Sequence, residues 1–129
     1  MLDTNILSDL ARNPKGQVAA RIDKLAADDI CTSIIVAAEI RYGLFKKNSP
    51  RLTAQLEAIL SGIEILPFEA PADVIYGELR TRLEQAGLPI GANDLLIAAH
   101  TLASGCILVS HNIREFSRIQ ELSVESWLA

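Results

Sequence analysis

Three carboxylates lie at positions where the chain could hold a metal ion. Glu39 falls inside the apolar helical stretch 36–40, where an isolated buried carboxylate is costly enough to stay neutral or to find a cation. Asp3 and Asp94 each lie at the start of a predicted helix. Hard divalent cations take oxygen ligands, and Mg²⁺ is usually held by one or two carboxylates. Asp3, Glu39 and Asp94 therefore favour a Mg²⁺ or Mn²⁺ site.

Each of these residues also has an interpretation that involves no metal. Asp3 and Asp94 could simply cap or begin their helices, and Glu39 could form a buried ion pair with an arginine from elsewhere in the fold. His111 follows a predicted strand beside this cluster, where a histidine is commonly solvent-facing, and His100 is expected in the core. Residue types and spacing alone leave these alternatives open.

Short apolar strands that alternate with helices must position these side chains. This alternation is typical of α/β folds, in which helices cover both faces of a parallel sheet. Active groups of such sheets gather at the carboxyl ends of the strands, and both Asp3 and residues 110–112 directly follow a strand. We therefore expect one rim to carry the cluster. Strands are predicted at residues 1–2, 30–32, 63–66, 107–109 and 123–125.

Helical periodicity and capping residues predict the intervening elements. Ser33 is a predicted cap, and Gly62 and Gly87 are predicted helix ends. The first half of the helix after Ser33 is apolar on all sides and is expected to be buried. The predicted helices cover residues 4–10, 18–29, 34–46, 52–61, 71–86 and 95–102, with one further turn around 115–116.

The composition limits the chain to one ordinary domain. Its 129 residues are 50% hydrophobic, so we expect a single domain over residues 1–129 with one core. The formal net charge of −4 excludes a global positive field, so any RNA must be bound by local cations. Cys31 and Cys106 lie in apolar stretches and are expected to be buried thiols rather than a disulfide. Because the sequence shows no leader and no spanning segment, we expect a soluble cytoplasmic protein with no membrane partner.

Several stretches of the chain match a known family in order and in separation. They are residues 1–5, 38–43, 89–100 and 108–116, with a terminal match at 124–127. Together they resemble the PIN-domain family, specifically the VapC-type toxins of bacterial toxin–antitoxin pairs, over essentially the whole chain. The resemblance implies a PIN-like three-layer α/β/α sandwich, with a short central parallel sheet flanked by helices.

By this resemblance, Asp3, Glu39 and Asp94 fall on the three acidic positions that hold the catalytic metal. Asn112 stands where members often place a fourth acid, so it is a further candidate catalytic residue. Side chains that could orient these carboxylates or a water molecule are Thr4, Asn5, Ser33 and Ser110. Candidate RNA contacts are Arg41, Arg80 and Arg114, although each is also typical of a solvated helix face.

The resemblance implies the toxin of a type II toxin–antitoxin pair, a metal-dependent endoribonuclease that hydrolyses RNA, for example at a loop of a transfer RNA. Expected partners are the RNA, an inhibitory cognate antitoxin and a second copy of the chain, with operator DNA reached only through the antitoxin. Two alternatives stay open: a non-catalytic co-repressor in an antitoxin–DNA complex, and an RNA-processing or DNA nuclease on the same fold. A candidate interface consists of Leu44, Phe45, Leu52, Leu56 and Ile59.

Overall fold

Short parallel strands form the centre of the protein in a computed structural model that describes residues 1–128. β1 pairs with β2 and β3 pairs with β4, while Leu2 forms parallel bridges to Thr32 and Val109. The order across the sheet is therefore β2, β1, Leu2, β3, β4, and these pairings are parallel, as predicted. The strands are β1 (Cys31–Ser33), β2 (Glu64–Leu66), β3 (Leu108–Val109) and β4 (Val124–Glu125).

Helices lie between the strands in the chain and flank the sheet. The Ser33 hydroxyl caps α3, as predicted, by accepting a hydrogen bond from the Ile35 N–H at 3.0 Å. This alternation of helices with a small parallel sheet confirms the predicted α/β class. Within residues 1–128 the helices are α1 (Thr4–Arg12), α2 (Gln17–Asp23), α3 (Ile34–Lys47), α4 (Pro50–Ser61), α5 (Ala72–Gln85), α6 (Ala92–Ala103) and α7 (Ile113–Phe116).

Two helices differ from the prediction by more than two residues at one end, and a third differs in its burial. α2 ends before Leu25, which is 41% exposed, and a separate 3₁₀ turn covers Ala27–Asp29. α6 begins three residues earlier than predicted, so Asp94 lies inside its first turn, where a negative charge is favourable. Ile34 in α3 is 44% exposed because only one side of this helix faces the core.

Two expectations drawn from composition concern the cysteines and membranes. Cys31 and Cys106 are free thiols, as predicted, but each is only half buried. The expectation of buried thiols was therefore wrong in degree, because both residues lie near the end of the sheet rather than in its middle.

Within residues 1–128, no helix combines the length and apolar character needed to cross a bilayer.

The buried core anchors the two helices that flank the predicted cluster. Ile97 on α6 and Phe116 on α7 are both 0% exposed. α6 packs along α5 and also contacts α3 and β1. The segments that carry Asp94 and Asn112 are therefore anchored by buried side chains, which restricts the movement of these two residues.

Removing the Phe116 ring should test this anchoring role. We expect Phe116→Ala to lower the free energy of unfolding by about 3–5 kcal/mol, because the substitution leaves a cavity in the core. The matched control is Phe45→Ala, whose ring is 85% exposed and whose loss should cost less than about 0.5 kcal/mol. Urea unfolding of both variants measures the difference, and equal losses would show that Phe116 does not anchor α7.

Candidate active site

The three predicted carboxylates meet in one cleft at the carboxyl ends of the central strands. Segments from four distant parts of the chain build it: the start of α1, the middle of α3, the first turn of α6 and the loop after β3. The cleft has a volume of about 320 Å³. Its lining residues are Asp3, Thr4, Asn5, Glu39, Asp94, His111 and Asn112.

Asp3 is held at the floor of this cleft by two hydrogen bonds. Its side chain is only 4% exposed, and it accepts from the Thr4 N–H at 2.7 Å and from the Ser110 hydroxyl at 2.7 Å. Burial raises the pKa of Asp3, and these two hydrogen bonds partly offset that effect. Asp3 therefore caps α1, as the interpretation without a metal predicts, and its side chain also lines the cleft.

Glu39 is held by neutral donors rather than by a cation. The Thr4 hydroxyl donates to its Oε1 at 2.8 Å, and the Asn93 side-chain amide donates to its Oε2 at 3.3 Å. Among the described residues Glu39 forms no ion pair, because Arg41 on the same helix pairs with Glu57 instead. The buried ion pair considered from the sequence is thus absent from residues 1–128.

Asp94 carries the largest electrostatic perturbation in the cleft. The pKa of its carboxyl is raised to about 6, first by burial and then by the neighbouring charges of Asp3, Glu115 and Glu39. The Asn112 side-chain amide donates to Asp94 Oδ2 at 3.1 Å. The cleft therefore concentrates carboxylates closely enough for them to repel one another.

Glu115 belongs to this cluster and was missed by the sequence analysis. Its Oε1 accepts from the Gly91 N–H at 2.7 Å, and its Oε2 accepts from the Asn112 amide at 2.7 Å. These two hydrogen bonds hold the pKa of Glu115 below its ordinary value. The available signal was the spacing from Asn112, since residues three apart lie on one face of a helix. Asn112 thus bridges two acids, Asp94 and Glu115.

The chain matches a known domain family over most of its length. The model of the PIN domain family matches residues 1–122. The chain belongs to the PIN-domain family. This confirms the resemblance drawn from the sequence.

Two curated relatives and one solved structure resemble this PIN domain over almost its full length. Ribonuclease VapC2 of Rickettsia felis is 44% identical, covering 98% of this chain and 96% of the relative. The tRNA(fMet)-specific endonuclease VapC of Shigella flexneri is 36% identical, with the same coverage of 98% and 96%. The crystal structure of VapBC2 from Rickettsia felis bound to a DNA fragment from its promoter contains a chain that is 43% identical, with a TM-score of 0.91, covering 98% of this chain and 97% of the other.

Three of the four predicted orienting residues lie at the cleft of the PIN domain. Ser110 is fully buried, and its hydroxyl donates to Asp3 while accepting from the Asn112 N–H at 3.0 Å. Thr4 holds Glu39, and Asn5 lines the cleft with an exposed side chain. Ser110 therefore connects Asp3, at the start of α1, to the loop carrying Asn112.

Ser33, the fourth predicted orienting residue, makes its contacts elsewhere. Its hydroxyl lies 2.7 Å from His100 Nδ1 and also caps α3, so both of its bonding directions are used away from the carboxylates. His100 is 2% exposed and lies in the core, as predicted, and burial lowers its pKa. A serine between a helix end and a buried histidine is therefore a packing element that joins α3 to α6.

Replacing Ser33 distinguishes packing from a role at the metal. We expect Ser33→Ala to lower the free energy of unfolding by about 1–3 kcal/mol, because it removes a cap and leaves His100 Nδ1 unpaired. The matched control is Ser49→Ala, which removes only the cap of α4 and should cost about 1 kcal/mol. Chemical unfolding gives these energies, and Mn²⁺ titration should give wild-type affinity for both variants. If only Ser33→Ala lost Mn²⁺ affinity, Ser33 would be shown to act at the metal site.

The three predicted RNA-contacting arginines do not line the cleft. Arg41 pairs with Glu57 at 3.2 Å, and Arg80 pairs with Glu84 at 2.9 Å. Arg114 is exposed on α7, next to Glu115. Any contact that these side chains make with RNA must therefore lie outside the carboxylate cluster, and the first two would have to leave their present partners.

The donor set of the cleft fits a hard divalent cation. Its acidic side chains offer oxygen atoms only, and neither lysine nor arginine is among the residues that line it. Within residues 1–128, no three acidic, histidine or cysteine side chains form a ready-made ligand cage. Mg²⁺ needs only one or two protein carboxylates and keeps several waters, so a ready-made cage is not required.

Proposed function

We propose that this PIN domain is a Mg²⁺- or Mn²⁺-dependent endoribonuclease, the toxin of a type II toxin–antitoxin pair that acts in the cytoplasm. The observation that carries the proposal is the convergence of Asp3, Glu39 and Asp94 in a cleft whose lining, within residues 1–128, includes neither lysine nor arginine. Such a cleft repels RNA phosphates until a cation offsets the carboxylates. The relatives named as a ribonuclease and as a tRNA(fMet)-specific endonuclease support RNA, and transfer RNA in particular, as the substrate.

The residues of the cleft have different roles in the proposed hydrolysis. Asp3, Glu39 and Asp94 would hold the cation, which when bound lowers the pKa of the attacking water and offsets charge on the phosphoryl oxygens. Thr4 and Ser110 fix the orientations of two of these carboxylates through the hydrogen bonds described above. Asp94 and Glu39 both face the cleft and are the candidates to accept the proton of the water.

The antitoxin partner is proposed from the solved relative, which pairs toxin with antitoxin on promoter DNA. In this chain, Phe45 is 85% exposed and Tyr42 is 69% exposed, both on α3. Leu44 and Leu56 from the predicted interface are buried instead, while Leu52 and Ile59 are half buried, so the exposed apolar surface is centred on Phe45. We propose that the antitoxin covers this surface, that DNA is reached only through the antitoxin, and that the toxin forms a homodimer.

The proposal predicts cleavage of RNA that depends on the metal and on Glu39. Purified protein should cut total bacterial RNA at discrete sites with Mg²⁺ or Mn²⁺ and should not cut in excess EDTA. Glu39→Gln should abolish cutting, because an amide is a weaker ligand for a hard cation. The matched control is Glu78→Gln, an exposed residue of α5, which should cut like the wild type. Mapping the 5′ ends of the products locates the target.

Each contrary outcome of this experiment has a definite meaning. Cutting in EDTA, or equal cutting by Glu39→Gln, would overturn the metal mechanism and point to a contaminating nuclease. Cutting of duplex DNA in preference to RNA would favour a DNA nuclease on the same fold. If the folded protein binds an antitoxin but cuts no RNA in any condition, the co-repressor function would replace the one proposed.

A further inference from the structure

The two cysteines of the chain meet at the end of the sheet opposite to the carboxylate cleft. Cys31 opens β1, and Cys106 lies two residues before β3, so both are at the amino ends of parallel strands. Their sulfur atoms are 3.9 Å apart although 75 residues separate them in the chain. The carboxylate cleft lies at the carboxyl ends of the strands, so this contact plays no part in the hydrolysis proposed above.

Both thiols are open to small reagents. Each is half buried, and both line a surface cavity of about 550 Å³. Cys106 follows Gly105, whose φ of 66° turns the chain, and within residues 1–128 no sheet pairing includes Cys106. A residue in such a turn shifts more readily than one held in a strand ladder. The sulfur of Cys106 can therefore move the remaining distance toward Cys31.

We propose that Cys31 and Cys106 are a redox modification site, at which a hydroperoxide converts the pair to a reversible disulfide. One thiol attacks a peroxide oxygen, which gives a sulfenic acid and releases one water molecule. The second thiol then attacks the sulfenic sulfur, which forms the S–S bond and releases another water molecule. Two thiols and one hydrogen peroxide thus yield one disulfide and two waters, and two electrons pass from the sulfurs to the peroxide.

The structure also indicates what this bond would do. It would join β1 to the segment entering β3 and would close a loop across 75 positions of the chain, which restricts the unfolded state. We expect the melting temperature to rise by about 5–10 °C on oxidation. Burial raises the pKa of the Cys31 thiol, so the thiolate is scarce at neutral pH and the reaction should be slow.

The test uses the full chain, reduced and then exposed to excess hydrogen peroxide. Because the sequence contains two cysteines, loss of both thiols together with a mass lower by two hydrogens identifies an internal disulfide. Non-reducing trypsin digestion should join the peptides 25–41 and 83–114, which contain Cys31 and Cys106. Dithiothreitol should restore both thiols and the lower melting temperature. None of these readouts depends on RNA cleavage, so the proposal stands or falls independently of the proposed function.

Single substitutions supply the controls. Cys31→Ser and Cys106→Ser each keep one thiol, so peroxide should leave their melting temperatures unchanged and should form no linked peptide. Cys31→Ala and Cys106→Ala repeat the comparison if a serine hydroxyl disturbs folding. Disulfides between separate chains, independent oxidation of the two thiols to sulfinic acids, or thiols that stay reduced in excess peroxide would each overturn the proposal.

Discussion

Asp94→Asn is expected to lower RNA cleavage by at least about 100-fold while it makes the metal-free fold more stable at pH 7.5. The activity should fall because Asp94 would hold the cation, and even residues that only orient metal ligands are worth about 10- to 100-fold. The stability should rise because burial disfavours the charged Asp94 carboxylate, and because the neighbouring Asp3, Glu115 and Glu39 repel its charge. Asp94→Asn should therefore lower RNA cleavage and at the same time raise the free energy of unfolding.

The sign of the stability effect follows from the pKa of Asp94. Its folded-state pKa of about 6 lies above the ordinary aspartate value of about 3.9, so the folded protein binds the proton more tightly. Asp94 then favours folding at low pH, and this contribution is lost as the pH rises through about 6. We expect a gain on the order of 1 kcal/mol for Asp94→Asn at pH 7.5, after allowance for the half-exposed side chain, and none at pH 4.

Urea unfolding in EDTA at both pH values, combined with RNA cleavage in Mg²⁺, measures both halves of this prediction. The matched control is Asp73→Asn, which lies in the first turn of α5 as Asp94 lies in the first turn of α6, but is exposed. It should change neither cleavage nor the pH dependence of unfolding. An inactive Asp94→Asn that is also less stable at pH 7.5 would contradict the repulsion described here.

Ser110→Ala is the second substitution with a large expected effect. The Ser110 hydroxyl is fully buried, donates to Asp3 and accepts from the Asn112 N–H, so its loss leaves two partners unpaired. We expect cleavage to fall by about 10- to 100-fold and the free energy of unfolding to fall by about 1–3 kcal/mol. The loss of cleavage and the loss of stability have the same origin, because the Asp3 carboxylate loses the hydrogen bond from Ser110 that orients it.

A serine outside the cleft provides the comparison for Ser110. Ser117 is exposed, and its hydroxyl donates to the Arg114 carbonyl at 2.8 Å, so Ser117→Ala should retain wild-type cleavage. Mn²⁺ titration of each variant adds a readout beyond activity, with weaker binding expected only in Ser110→Ala. If Ser110→Ala binds Mn²⁺ and cuts RNA like the wild type, Asp3 does not need this hydrogen bond.

Local signals predict most of the helices and strands and single out Glu39. Ser33 was recognised as a cap from its position before an apolar helix, and Glu39 stood out because an acid is rare in such surroundings. The positions of Asp3 and Asp94 at the starts of helices are equally typical of capping residues, so these positions alone do not indicate a metal site. Family resemblance then joined these separate signals into one site, and the fold places all three acids in a single cleft.

The structure differs from the prediction mainly in the contacts that residues make with distant parts of the chain. Ser33 was assigned to the carboxylates, yet its hydroxyl bonds His100, which lies 67 positions further along the chain. Glu115 was treated as part of a short helix, although its carboxylate accepts a hydrogen bond from Gly91, 24 positions away. Local periodicity predicts neither of these two hydrogen bonds. It indicates which face of a helix or strand is apolar, but not which residues that face contacts.

The acids that meet at the cleft are recognised through the family resemblance, whereas the sequence by itself predicts most of the helices, the parallel strands and the single apolar core. These follow from backbone propensity, capping and the burial of apolar surface, which act over a few residues or over a whole face. Only the tertiary structure decided that Asn112 bridges Asp94 to Glu115, that Ser110 directs Asp3, and that Cys31 touches Cys106. Hydrogen bonds and sulfur contacts require partners within a few ångströms, and the folded backbone alone sets those distances.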